Sequence, residues 1–159
     1  MPALAALQQT NDARKRLAFY NTHTGESLDL CYYDRGVYCP EALDRLNHLL
    51  RDHRTGQVHD IDPRLLDNLY ALSRKIGRHS PFHIISGYRS PETNAMLRKK
   101  TSGVARTSFH TKGRAIDIRL PGYSTQRLRN ACIAMKSGGV GYYADSNFVH
   151  IDTGPIRCW

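Results

Sequence analysis

Apolar residues recur at spacings of three and four along several stretches of the chain, which is the period of an amphipathic helix. Leu43 and Leu46 mark the first of these stretches, which begins at Pro40. A second stretch has Asp62 as its N-cap, a proline at the first helical position and Gly77 as its C-cap, all residues that are preferred at those places. The pattern predicts about four helices, over residues 40–52, 63–77, 92–100 and 125–136.

Shorter runs with a period of two, or rich in branched and aromatic residues, predict strands. In the run 115–120 the polar Asp117 lies between Ile116 and Ile118, and the run 148–153 alternates in the same way. Strands are predicted over residues 16–21, 27–33, 37–38, 82–86, 115–120, 139–143 and 148–153. Together the elements predict an α+β fold, in which helices cover one face of a small antiparallel sheet and the other face forms an open cleft.

The length of 159 residues fits one domain with a hydrophobic core of its own. We expect a flexible amino-terminal segment over residues 1–15 and a single domain over residues 16–159, present as a monomer. No apolar run approaches the roughly 20 residues of a membrane-spanning helix, so membrane insertion is not expected. Residues 1–9 are apolar but too short for a signal peptide and lack a charged region before them, so we expect the remnant of a processed precursor.

The formal net charge of +9 favours an anionic partner. Nucleic acid, phospholipid and cell-wall polymer all qualify, and a basic surface that serves only solubility is the alternative. Nucleic acid is not the expected partner, because the chain has no helix-turn-helix, aromatic RNA-binding pattern or zinc-finger spacing. The cysteines show no Cys-x-x-Cys pairing, which argues against a thiolate metal site and leaves disulfides and buried thiols both open. They are Cys31, Cys39, Cys132 and Cys158.

Candidate chemistry is concentrated between Ser108 and Asp117 and at a distal histidine, His150. His110, Asp117 and His150 offer the ligand types that zinc accepts when no thiolate is used. On one helix His110 and Asp117 would lie roughly 10 Å apart, so the chain must reverse between them, and Gly113 tolerates such a reversal. If the following strand pairs with the strand of His150, the three side chains meet at one ion. Three protein ligands leave one tetrahedral position open, as in catalytic zinc sites.

The same residues resemble a known family. The pattern Ser-x-His-x-x-Gly-x-Ala-x-Asp with a distal histidine is similar to the zinc D-Ala-D-Ala-type (VanX-like) metallopeptidases, and residues 85–90, 138–143 and 147–155 resemble the murein endopeptidase K-like branch of that group. The resemblance covers residues 17–159. It implies a hedgehog/D-Ala-D-Ala-peptidase-like fold, a periplasmic location and a zinc-dependent murein endopeptidase. Such an enzyme hydrolyses the peptide crosslinks of peptidoglycan, D-Ala to meso-diaminopimelate or diaminopimelate to diaminopimelate, through a zinc-activated water. A non-catalytic zinc module that binds the cell wall is the alternative.

The resemblance also suggests roles for the neighbouring side chains. Arg89 takes the position of the arginine that holds the substrate carboxylate or the developing oxyanion, with a structural ion pair as the alternative. Asp152 is the candidate general base, and its alternative role is to orient His150. The chain departs from VanX-like enzymes here, because they carry an acidic residue where this chain has Asn147. Ser108 either hydrogen-bonds substrate or ties the loop backbone.

Overall fold

Eight strands form one sheet in the computed structural model of the protein, which describes residues 13–159. Their order across the sheet is β3-β2-β1-β4-β5-β7-β6-β8. The strands are β1 (Arg14–Asn21), β2 (Ser27–Asp34), β3 (Val37–Tyr38), β4 (Phe82–Ser86), β5 (Ala115–Arg119), β6 (Gly139–Tyr143), β7 (Phe148–Asp152) and β8 (Arg157–Cys158). The predicted flexible segment 1–15 lies outside the described residues except for its last three, and β1 already begins within those.

The prediction of a small, purely antiparallel sheet is wrong in two places. Strand β4 pairs with β1 in parallel, and β8 pairs with β6 in parallel. The first parallel pair arises because two helices lie between β3 and β4 and return the chain in the direction of β1. Strand β8 was not predicted, because two residues are too few to show a period and no hairpin turn joins them to a predicted strand, as residues 34–36 join β3 to β2.

Four α-helices are found in residues 13–159: α1 (Pro40–Leu49), α2 (Pro63–Ile76), α3 (Pro91–Lys100) and α4 (Thr125–Met135). The predicted caps of α2 are confirmed: the Asp62 side chain accepts a hydrogen bond from the Arg64 backbone, and Gly77 is left-handed with φ of 64°. Helix α4 ends at Lys136, which is itself left-handed, rather than at the glycine pair that follows. The helix bounds therefore follow local capping chemistry closely.

The core lies between the sheet and three of these helices. Helix α1 contacts β2, α2 contacts β1, and α4 contacts β6 and β7. Their leucines share one buried cluster with the inward residues of β4, β5 and β7. Leu46, Leu69, Ile116, Ile118 and Val149 have no measurable exposure. Each such side chain stabilises the fold by roughly 1.5–3 kcal/mol relative to its exposed state. This burial leaves the opposite face of β5 and β7 for polar residues.

Two further observations bear on the sequence predictions. Within residues 13–159, no helix combines the length and the apolar character needed to cross a membrane. All four cysteines carry free thiols in this structure, and Cys132 is the buried one.

Candidate metal centre

The pairing of β5 with β7 brings Asp117 next to His150. The two residues are direct partners in the antiparallel register, and directly opposed residues project to the same side of a sheet. Their neighbours Ile116 and Val149 project to the opposite side, into the core. The predicted side-by-side pairing of these two strands is confirmed, and it places a carboxylate and an imidazole together on the open face.

His110 reaches the same point from a short 3-10 helix, Phe109–Lys112, just before β5. The Ser108 hydroxyl caps this helix by accepting a hydrogen bond from the His110 backbone N–H at 3.3 Å. Gly113 then reverses the chain with φ of 63°, and a Cβ there would lie 2.1 Å from the Asp60 carbonyl oxygen. The reversal predicted at Gly113 is confirmed. The 3-10 turn was not predicted, because four residues are too few to show a period.

The donor atoms of the three side chains converge on one point. The His110 Nε2 atom lies 3.2 Å from Asp117 Oδ1 and 3.2 Å from His150 Nδ1, and these last two atoms are 2.9 Å apart. Ligands at zinc-like distances of about 2.0–2.2 Å form a tetrahedron with edges of roughly 3.3–3.6 Å. All three residues are buried. The donor set therefore fits one tetrahedral divalent cation after small shifts.

In each histidine, the ring nitrogen that points away from the other two candidate ligands (the outer nitrogen) lies within hydrogen-bond distance of a neighbouring oxygen atom. His110 Nδ1 lies 2.8 Å from the carbonyl oxygen of Gly87, and His150 Nε2 lies 2.9 Å from Asp152 Oδ2. Metal-ligating histidines usually donate their other ring N–H in this way, which sets the tautomer and the ring orientation. With the outer nitrogen carrying the N–H, the nitrogen that faces Asp117 in each ring keeps its lone pair for a metal ion.

The charges around these donors favour a cation. Burial lowers the pKa of His150, but hydrogen bonds and charge interactions with Asp117 and Asp152 outweigh it and raise that pKa to about 9. Burial would raise the pKa of Asp117, yet the two histidines hold it well below its ordinary value. Positive charge is therefore stabilised at the point where the three donor atoms meet, and a bound metal ion would supply it in place of a proton.

Asp152 does not occupy the place expected of a general base. Its side chain is fully buried behind His150 and is absent from the lining of the cleft. It accepts hydrogen bonds from the backbone of Gly139 and Gly154 at 3.1 and 2.9 Å, and from Arg157 at 2.8 and 3.1 Å. This placement argues against the predicted base role and matches the alternative, in which Asp152 orients His150. The contact with Arg157 was not predicted, because Arg157 belongs to the unpredicted strand β8.

An open cleft of about 660 Å³ surrounds the three donors and includes Arg89 and Ser108. The Arg89 backbone N–H donates to the His110 carbonyl oxygen at 3.1 Å, and its guanidinium donates to Asn94 Oδ1 at 3.3 Å. Its Nε is buried without a hydrogen-bond partner among residues 13–159, and burial lowers its pKa. No ion pair joins Arg89 to a carboxylate in the described part of the chain, so the structural ion pair considered as its alternative role is not found there.

Two residues in or beside the cleft were not predicted from the sequence. Asn94 is buried on α3 and links Arg89 to the carbonyl oxygen of Ala105 at 3.1 Å, in the loop that walls the cleft. Trp159 follows β8 and lines the cleft beside His150. An asparagine in a helix and a tryptophan after a two-residue strand carry no local signal of such roles.

Comparison with known proteins finds a matching family model and similar proteins. The family model described as Peptidase_M15_2, "Peptidoglycan L,D-endopeptidase MepK", matches residues 8–159. The chain is 46% identical over 158 residues to the peptidoglycan L,D-endopeptidase MepK of Escherichia coli K12. The aligned region covers 99% of this chain and 86% of that protein. The chain is 43% identical over 144 residues to the probable peptidoglycan L,D-endopeptidase MepK of Haemophilus influenzae, which covers 90% of this chain and 77% of that protein. No solved structure gives a significant match.

Proposed function

Because the chain belongs to the peptidoglycan L,D-endopeptidase MepK family of metallopeptidases, we propose that it hydrolyses peptide crosslinks of peptidoglycan with a metal ion held by His110, Asp117 and His150. The observation that carries the proposal is the convergence of the three donor atoms at 2.9–3.2 Å within an open cleft. We propose zinc as the metal, since two imidazoles and one carboxylate match its catalytic sites. The polymer lies in the periplasm, which is the location we propose for the protein.

The names of the relatives narrow the choice of crosslink. An L,D-endopeptidase cuts between an L-centre carbonyl and a D-centre amine. The diaminopimelate–diaminopimelate crosslink has this stereochemistry, whereas the D-Ala–diaminopimelate crosslink joins two D-centres. Of the two bonds considered from the sequence, we therefore propose the diaminopimelate–diaminopimelate bond as the preferred substrate.

The side chains around the site have separable roles in this proposal. A bound zinc ion lowers the pKa of a water molecule and polarises the scissile carbonyl. Gly87 and Asp152 hold the two imidazoles in the tautomer that leaves their inner nitrogens free. The Arg89 guanidinium stabilises negative charge that develops on the carbonyl oxygen, and burial strengthens this interaction because water is scarce around it.

Two side chains receive a changed or narrower role. Ser108 already uses its oxygen as an acceptor for the His110 N–H, so its hydroxyl hydrogen is the part that can donate to substrate. Asp152 orients His150 and is not the proton acceptor. Among the described residues that line the cleft, Asp117 is the one carboxylate, and it is engaged with both histidines.

A muropeptide digest tests the proposal. Purified protein, treated or not with a chelator and then resupplied with zinc, is incubated with crosslinked muropeptides, and products are read by mass. We expect cleavage that chelator removes and zinc restores, and we expect His110→Ala to abolish it while the protein stays folded. His79→Ala is the matched control, because His79 is exposed and outside the cleft. Muropeptide binding with no chelator-sensitive cleavage would instead favour the non-catalytic wall-binding module.

A further inference from the structure

Three aromatic side chains lie beside the candidate metal centre and form what we call the aromatic wall of the cleft: Tyr143, Phe148 and Trp159. Trp159 is 52% exposed and Tyr143 is 36% exposed, although both are large apolar side chains. Apolar surface exposed inside a concave site is the surface that a ligand covers when it binds. The proposed chemistry uses none of these three residues, so their function is open.

Within the aromatic wall, Trp159 lies next to His150 and extends the surface of the cleft away from the candidate metal centre. Its backbone extends the pairing with β6 beyond β8, since Trp159 N–H donates to the Val140 carbonyl and its own carbonyl accepts from Tyr142 N–H. The indole thereby covers Gly141, where a Cβ would approach the ring within 2.7 Å. Gly141 is the direct partner of His150 in the β6–β7 register. A continuous surface of the cleft therefore runs from Asp117 through His150 to the indole. The His150 and Trp159 rings are centred 5.2 Å apart.

The indole is held in place from two sides. Its Nε1–H donates to the Tyr143 hydroxyl oxygen at 3.1 Å, and the Tyr143 ring stacks on Phe148 at 4.6 Å. The Arg157 guanidinium lies 4.9 Å from the indole centroid and is anchored by two hydrogen bonds to Asp152. Because the one polar atom of the indole is satisfied within the protein, its exposed part is carbon. A pre-positioned aromatic surface of this kind binds apolar groups with little loss of side-chain entropy.

We propose that Trp159 is the floor of a substrate subsite, which takes the aliphatic side chain of the crosslink residue lying on the side of the metal centre away from Arg89. This inference rests on the proposed function and specifies how the same cleft holds its substrate. The two sides of the candidate metal centre differ in chemistry. Arg89 follows β4 on one side of Asp117, and the indole lies on the other side, beyond His150. Diaminopimelate has an alkyl chain between its charged ends, and that chain suits the indole surface.

Peptide is favoured over sugar as the occupant because the subsite adjoins the metal centre directly. The rings of His150 and Trp159 are centred 5.2 Å apart, which is less than two residues of extended chain at about 3.3–3.6 Å per residue. A group above the indole therefore belongs to the crosslink, at or next to the bond that is cut. The sugars of peptidoglycan are separated from the crosslink by the stem peptide.

Fluorescence tests the binding part of this inference without turnover. Trp159 is the single tryptophan of the chain, so emission reports on this indole alone. The His110→Ala protein is titrated with a sugar-free, diaminopimelate-crosslinked peptide and, separately, with the disaccharide that carries no peptide. We expect a saturable blue shift or change in intensity with the peptide and none with the disaccharide. A change with the disaccharide alone, or with neither probe, would overturn the assignment.

Steady-state kinetics tests the role in the reaction. We expect Trp159→Ala to raise KM for the crosslinked peptide by tenfold or more with a smaller effect on kcat, and Trp159→Phe to retain most of the affinity. Zinc content is measured in every variant and should not change. Ile156→Ala is the matched control, because Ile156 is 68% exposed and does not line the cleft.

The two proposals fail in different ways. A wild-type protein that binds the peptide with a fluorescence change but does not cleave it refutes the proposed function and leaves the subsite intact. A wild-type protein that cleaves the peptide, together with folded Trp159→Ala protein of unchanged KM, refutes the subsite. If Trp159→Ala loses its circular dichroism spectrum, Trp159→Phe and the fluorescence titration still decide.

Discussion

Replacing Asp152 by alanine separates a positioning residue from a general base. In the structure its carboxylate holds His150 Nε2 at 2.9 Å and receives two hydrogen bonds from Arg157 and two from backbone N–H groups. Loss of a partner that orients a metal-ligating histidine typically weakens metal binding by about 10–100-fold, or roughly 1.4–2.7 kcal/mol. The buried Gly139 N–H also loses its acceptor, which destabilises the metal-free fold by about 1–3 kcal/mol.

The assay measures zinc affinity and turnover separately. Zinc dissociation is followed by competition with a chromophoric chelator, and kcat for crosslinked peptide is measured at saturating zinc. We expect Asp152→Ala to lower zinc affinity by the stated factor and to recover most of its kcat once zinc saturates the site. Asp152→Asn keeps an acceptor for His150 and should lie between wild type and alanine. Unchanged zinc affinity with a loss of kcat of a hundredfold or more would refute the positioning role and restore Asp152 as the base.

Three further predictions concern other parts of the molecule. Gly113→Ala should lower the free energy of unfolding by at least about 2 kcal/mol in urea, because the residue has φ of 63° and a new Cβ would meet the Asp60 carbonyl oxygen at 2.1 Å. An unchanged urea midpoint would contradict this. Arg89→Ala should lower kcat by about 10²–10³-fold with unchanged zinc content, since its half-buried guanidinium lines the cleft without a carboxylate partner among residues 13–159. Loss of zinc together with activity would show a structural role instead. Asp67 should make the free energy of unfolding depend on pH in the acidic range. Burial would raise its pKa, but hydrogen bonds from one lysine and two tyrosines outweigh this and hold the pKa below its ordinary value of about 4. Its contribution is therefore present above that value and lost as pH falls below it, so the gap in unfolding free energy between wild type and Asp67→Asn should narrow from pH 6 to pH 3. A constant gap over that range would refute the assignment.

Local patterns were sufficient for most elements and for the metal donors. Helix α2 begins directly after Asp62 and ends directly before Gly77, as predicted, because capping residues bond to backbone groups within a few positions of themselves. The bounds of β4, 82–86, agree as well. Alternation along β5 and β7 placed Asp117 and His150 on the polar faces of their strands. The strand register confirms those faces, because it pairs Asp117 with His150 while Ile116 and Val149 belong to the core.

Other features depend on segments that are distant in sequence. The parallel pairing of β4 with β1 is set by the path of two helices, and the position of β8 is set by its contact with β6. Arg157 and two backbone N–H groups donate hydrogen bonds to the Asp152 carboxylate, and no period along β7 encodes those partners.

The sequence by itself determined the element types, the helix caps, the candidate metal donors and the family resemblance, because each depends on residue chemistry or on spacing within one segment. Only the tertiary structure decided that Asp152 lies behind His150, that the buried Nε of Arg89 has no hydrogen-bond partner among the described residues, and that Trp159 covers Gly141 at the edge of the cleft. The physical reason is that these arrangements are set by strand order and register, and register is fixed by packing between segments rather than within them.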